Sequence, residues 1–128
     1  MKKFLLAAVV AIISITAFAQ GNSVKELNDK NFQELLGDPN GPVVIDFSAS
    51  WCGPCKTFAP VFHQVADEMS GKAEFFKVDV DESPQLASAM RIQAVPTIIL
   101  INPGTEKIDI IQGVVGKDEF VKRVKAIL

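Results

Sequence analysis

Hydrophobic and polar positions alternate along this chain in two rhythms, and the rhythms mark out its elements. Val24 to Leu27 reads as a first short strand. Asn28 or Asp29 can cap a short helix whose apolar side is Phe32, Leu35 and Leu36, with Gly37 ending it. A turn-rich connector, Asp38-Pro39-Asn40-Gly41-Pro42, leads into Val43-Val44-Ile45-Asp46-Phe47, a β-branched run of the kind buried in a parallel sheet. After it Phe58, Val61, Phe62, Val65, Ala66 and Met69 recur at spacings of three and four, one face of a helix that reaches about Ser70 and stops at Gly71.

The second half continues the alternation. Glu74 to Val80 is a strand, and Ser83 with Pro84 is a helix start, with that helix running to Met90. Thr97 to Ile101 is a third buried strand, and Asn102 to Thr105 turns the chain into an antiparallel partner, Lys107 to Gln112. Phe120, Val121, Val124, Ile127 and Leu128 line a last helix. The order β-α-β-α-β-α-β-β-α, without repeats, predicts an α/β fold: a mixed central sheet of about five strands flanked by about four helices on both faces.

The N-terminus follows neither rhythm. Lys2 and Lys3 precede an apolar run from Phe4 to about Ile15, and Ala17-Phe18-Ala19 supplies a small-x-small pattern. Residues 1–19 therefore read as a secretory signal peptide, with a domain over residues 20–128 and a mature start at Gln20. The rival reading is an uncleaved membrane anchor, but the run is shorter than the roughly 20 apolar residues of a span. No cysteine lies beside the cleavage pattern, which argues against a lipoprotein. Removing Lys2 and Lys3 from the 13 basic residues leaves 11 against 15 acidic ones, a net charge of −4. No dense basic cluster exists, so nucleic acid is not expected as a partner.

The chemistry is concentrated in Trp51-Cys52-Gly53-Pro54-Cys55-Lys56, which holds both cysteines of the chain. A four-ligand metal site would need further Cys or His, and His63 is the single histidine. A c-type haem attachment needs His where Lys56 stands. A structural disulfide would close a loop too short to restrict the unfolded chain much. A redox pair is the remaining reading. Its position after the apolar strand puts Cys52 near a helix N-terminus, where backbone N–H groups favour a thiolate. Pro54 suits a first helical turn, Gly53 leaves the approach to sulfur open, and Lys56 adds a positive charge.

Other polar residues have plainer readings. Asp46 in an apolar strand is either a hydrogen-bonded structural acid or a functional one whose pKa burial raises. Lys77 is either a solvated strand-edge lysine or a functional one. His63 falls off the apolar face of its helix and reads as surface. Asp79, Asp81 and Glu82 lack the spacing of a calcium loop and read as a solvated strand end.

From about Ser23 onward the chain resembles the thioredoxin family. The likeness rests on the Trp-Cys-Gly-Pro-Cys-Lys run and on Asp46 six residues before Cys52. It extends to Pro60 in the long helix, Lys77 on the next strand, Val95-Pro96-Thr97 and Gly113. The resemblance implies a thioredoxin fold, Cys52 as attacking thiolate and Cys55 as resolving thiol. It implies Asp46 as the acid that moves the proton of Cys55, with Lys77 packed nearby, and Pro96 as a cis-proline facing the disulfide. Trp51, Gly53, Pro54, Val95, Pro96 and Gly113 would form the surface where substrates dock. Ser48, Ala94 and Gln112 depart from the family pattern and bear on substrate preference and redox potential.

Together these readings predict an exported, monomeric thiol–disulfide oxidoreductase, acting without a cofactor on disulfide-bearing substrate proteins. The Gly-Pro pair between the cysteines resembles reducing members of the family. An exported reductase would need a membrane electron donor. The alternatives are a disulfide oxidase or isomerase, and a binding module that uses the apolar surface around Trp51 without redox chemistry.

Overall fold

In the computed structural model, which describes residues 23–37, 39 and 41–128, the expected order of elements is present. Strands β1 (Val24–Leu27), β2 (Val43–Ser48), β3 (Glu74–Asp79), β4 (Thr97–Asn102) and β5 (Lys107–Gln112) form one sheet in the order β1-β3-β2-β4-β5. The first three run parallel, and β4 and β5 are antiparallel to their neighbours. The helices are α1 (Phe32–Leu36), α2 (Gly53–Glu68), α3 (Pro84–Ala89) and α4 (Lys117–Ile127). Residues 1–22, and with them the predicted signal segment, lie outside the described residues. Among the described residues no helix is long and apolar enough to cross a membrane.

All six residues of β2 are buried, because the strand has neighbours on both edges and helices over both faces. Alternation along it divides the core in two. Val44 joins Phe58, Phe62 and Val65 of α2 and Phe120, Val124 and Ile127 of α4 on one face. Ile45 and Phe47 join Phe76, Val78 and Leu86 on the other, against Phe32, Leu35 and Leu36 of α1. Aromatic rings lock the first cluster: Phe62 lies 5.6 Å from Phe75 and 5.8 Å from Phe120, and Phe58 meets Phe120 edge-on at 5.2 Å.

Capping differs from the sequence expectation. Asn31 occupies the N-cap of α1, while Asn28 Oδ1 accepts from the N–H groups of Lys30 and Asn31 and holds the preceding turn. Ser83 is the N-cap of α3, but its hydroxyl makes no capping bond. Asp29 does that work across the fold, accepting from the N–H groups of Leu86 (2.8 Å) and Gln85 (3.3 Å). A carboxylate also suits the positive end of a helix. Asn102, expected in a turn, ends β4 instead. It is buried and ties the C-terminus of α4 through a 2.6 Å bond from its amide nitrogen to the Ile127 carbonyl.

Candidate redox site

The chain leaves β2 at Ser48 and enters α2 four residues beyond Ala49, so whatever opens α2 sits over the C-terminal end of the central strand. Cys52 is the N-cap, with extended backbone (φ −85°, ψ 112°), and Pro54 falls in the first turn, where no N–H is needed. Cys52 Sγ accepts a 3.2 Å hydrogen bond from the Cys55 backbone N–H. That bond uses one of the unpaired donors of the helix start, the same donors that stabilise a thiolate once the pair is reduced.

Cys52 and Cys55 are joined in a disulfide, their Cα atoms 5.3 Å apart on one helical turn. Both are buried, and Ala49, Val80 and Val95 pack around them. Cys52 Sγ lies 3.8 Å from the Val95 carbonyl oxygen, so the segment before β4 faces this sulfur. The Val95–Pro96 peptide bond is cis, and Pro96 is buried. The Pro96 carbonyl accepts a 2.8 Å bond from the Gly113 N–H, and Gly113 has φ +87°, a conformation that favours glycine. The Val95 and Gly113 segments are thereby tied beside the disulfide.

Around this junction the surface is apolar and open. Trp51 is 69% exposed. Its indole N–H donates to Asp81 Oδ2 at 2.8 Å, which fixes the ring beside the disulfide. A side chain at Gly53 would meet nothing within 4 Å, so no described residue crowds this approach.

Asp46 lies on the face of β2 that α2 and α4 cover, two residues beyond Val44 of that core. It is 1% exposed, and its Oδ1 has no hydrogen-bond partner. Burial raises its pKa to about 6, with the positive charge of Lys77 drawing it partly back. Lys77 stands directly across from Asp46 in the β2–β3 register. It is not an edge residue, because β3 is paired on both sides. Partly buried, it lines an open cavity of about 330 Å³ together with His63, Glu26, Asp79 and Glu82. His63 itself is exposed.

Sequence reasoning passed over Asp81 as a solvated strand end. A signal was present, since a tryptophan beside the cysteines brings an indole N–H that needs an acceptor. The acceptor lies 30 residues away, beyond the reach of any spacing rule. Asp79 builds the turn that presents it, accepting from the N–H groups of Asp81 and Glu82.

The arrangement is a disulfide between cysteines one turn apart at a helix start, following a strand that carries a buried acid and flanked by an exposed tryptophan. The sequence pattern of the Thioredoxin family matches residues 23–126. A thioredoxin from Chlorobaculum thiosulfatiphilum is 40% identical over 99 residues, covering 77% of this chain and 91% of that protein. The chloroplastic M-type thioredoxin of Spinacia oleracea is 37% identical over 105 residues, 82% of this chain and 58% of that longer protein. Among solved structures, chloroplastic thioredoxin z superposes with a TM-score of 0.74 at 31% identity, over 81% of this chain and 93% of that one. The chain belongs to the thioredoxin family. With Cys52 and Cys55 joined at its redox site, it is a thiol–disulfide oxidoreductase.

Proposed function

We propose that this protein is an exported disulfide reductase, with Cys52 the attacking and Cys55 the resolving cysteine. The observation that carries the reading is the unequal placement of the two sulfurs. Cys52 Sγ sits at the helix start, where it accepts the Cys55 N–H, and faces the Val95 carbonyl. Cys55 lies one turn inside α2, on the helix that covers the Asp46 face of the sheet.

In the reduced protein the Cys52 thiolate attacks one sulfur of a substrate disulfide. The Cys52–substrate S–S bond forms, and the other substrate sulfur leaves and takes up a proton. Ionised Asp46 then accepts the proton of the Cys55 thiol. Cys55 attacks Cys52 Sγ, and the second substrate sulfur leaves as a thiol once protonated. Two electrons have passed to the substrate, and the disulfide seen here is the product state. A carboxyl with a pKa near 6 is ionised at neutral pH yet basic enough to take that proton. Extended substrate chain would lie against Trp51, Gly53, Pro54, Val95, Pro96 and Gly113.

The reading of export rests on the leader-like run of residues 1–19, and the topology bears only on how a retained leader would orient the domain. Val24 and Val44 both register with Phe75, so the domain's first described residues lie level with the start of β2. The disulfide follows the other end of that strand. A leader retained as an anchor would therefore hold the domain with its redox end facing away from the membrane. Outside the cytosol a reductase needs a membrane protein that returns two electrons to the Cys52–Cys55 disulfide after each turnover.

Cell fractionation combined with thiol trapping tests the reading. Cys55→Ser should accumulate covalent mixed disulfides with substrate proteins outside the cytosol, whereas Cys52→Ser should not. Equal trapping by the two variants would overturn the roles. A wild-type pair found fully oxidised in growing cells would overturn the direction and favour an oxidase, and recovery of the protein from the cytosol would overturn export.

A further inference from the structure

The two open edges of the sheet are protected in different ways. β1, on one side, is four residues long and carries Lys25 and Glu26 at exposed positions, features that discourage pairing with another strand. Its Glu26 carbonyl is also covered by the Asn31 side-chain amide at 3.0 Å. β5, on the other side, is six residues long and presents Ile108 and Ile110, 67% and 53% exposed. They stand opposite Ile101 and Ile99 of β4, so four isoleucines form one row on a single face of the sheet. Such an edge is a template for strand addition.

The backbone of β5 shows why pairing is not free to occur there. Ile110 is one of the alternate residues whose N–H and C=O point away from β4. Neither group is vacant. Its N–H donates to Asp109 Oδ1 at 2.8 Å, and its carbonyl accepts from Arg123 Nη2 at 3.1 Å. Arg123 reaches from α4 and also grips Asp109 with both arms of its fork, Nε to Oδ2 at 2.7 Å and Nη2 to Oδ1 at 2.5 Å. The guanidinium hydrogen bonds hold the Asp109 carboxyl below its usual range, so the clamp stays ionised at neutral pH.

We propose that the Asp109–Arg123 clamp guards β5 against pairing with the β5 strand of a second copy of this chain. A second copy is the occupant the geometry favours, because antiparallel β5–β5 pairing is self-complementary. With Asp109 on the twofold axis, Ile108 of each copy meets Ile110 of the other, and the isoleucine rows merge across the joint. With Ile110 on the axis, the two Ile110 residues meet. Both registers require the N–H and C=O of Ile110, the two groups the clamp occupies. The first also sets the Asp109 carboxylates of the two copies opposite each other, a repulsive pair. Breaking the clamp frees the backbone and removes that repulsion.

The test is the solution mass of purified residues 20–128, a span that contains all nine elements, measured by light scattering over a wide concentration range. The wild type is expected to keep a one-copy mass throughout. Asp109→Ala/Arg123→Ala is expected to climb with concentration toward a two-copy mass, and adding Ile110→Lys should return it to one copy. Glu68→Ala/Lys117→Ala, which breaks the ion pair between α2 and α4, should stay at one copy. A clamp variant that remains single while keeping its near-UV circular dichroism and disulfide-exchange activity would overturn the proposal. So would association that survives Ile110→Lys, or equal association when the Glu68–Lys117 pair is broken. Should the double variant lose its near-UV signature, Asp109→Ala alone, which frees the Ile110 N–H, removes the repulsion and leaves Arg123 without its anchor, decides the matter by the same masses.

Discussion

Asp46 is a stability defect with a calculable pH signature. In the unfolded chain its carboxyl titrates near 3.8, whereas in the folded protein burial moves it to about 6. Below the lower value the group is neutral in both states and has no effect on the folding equilibrium. Between the two values the unfolded chain ionises and the folded one does not, so stability falls as pH rises. Above the folded pKa the full penalty is in force. At about 1.4 kcal/mol per unit, it amounts to about 3 kcal/mol. Asp46→Asn cannot ionise and should be free of this slope. Its amide has its own offset, about 1–3 kcal/mol if a buried N–H is left unpaired, but that offset does not change with pH. The quantity to read is therefore the change in the difference between the two proteins. Urea unfolding of both, with the Cys52–Cys55 disulfide intact, should show the Asn variant gaining about 3 kcal/mol on the wild type from about pH 3 to about pH 8. Most of that gain should fall between about pH 4 and pH 6. Other carboxylates cancel in the comparison. Parallel stability curves would refute the assignment of a raised pKa to Asp46, and so would a gain confined to pH below about 4.

The remaining predictions probe the neighbours of that acid and the frame that carries it. Lys77→Met removes the charge that draws the Asp46 pKa down, so the same urea series should show the fall in stability starting at the same pH and continuing to higher pH. In stopped-flow exchange with a disulfide peptide, Asp46→Asn should leave the first attack by Cys52 largely intact. Release of the mixed disulfide should slow on the order of a hundredfold, as expected when a general base is lost. Asp29→Ala uncaps α3 and should cost about 1 kcal/mol by chemical denaturation, the ordinary worth of an N-cap carboxylate. Phe62→Ala empties the space between Phe75 and Phe120 and should cost about 3–5 kcal/mol in the same assay.

The elements were legible because each is written in a period that shows which residues share a face. β2 stands out as a continuous apolar run, and α2 as a three-and-four repeat from Phe58 to Met69. What the periods do not contain is which element lies beside which. The acceptor for the α3 cap is Asp29, which stands 57 residues before Leu86, while the adjacent Ser83 makes no capping bond with its hydroxyl. Lys77 reads as an edge lysine until the strand order is known. The placing of β1 on the outer side of β3 makes its strand internal, and the pairing of β3 with β2 sets it across from Asp46. The same β2–β3 pairing brings Asp81, two residues past β3, within reach of the Trp51 indole. The redox pair needed no such information, because both sulfurs and the helix start that holds them lie within one short run of sequence.

Asp46 was legible for the opposite reason: it violates the pattern it sits in. A strand whose other members are Val43, Val44, Ile45, Phe47 and Ser48 would be more stable with an apolar residue at that position, and folding alone supplies no reason for a carboxyl there. Its Oδ1 is left without a partner in the interior, so it is not a structural acid that trades burial for hydrogen bonds. Burial is also what sets its proton affinity. A solvated carboxyl near 3.8 is too weak a base to take the proton of a thiol at neutral pH, whereas one near 6 is far better matched. Lys77 bounds the effect from the other side, since without a cation across the strand pair the pKa of the acid would rise further. The stability lost at neutral pH and the basicity gained are therefore one displacement in pKa, seen once as folding and once as chemistry. A substitution that relieves the first must weaken the second.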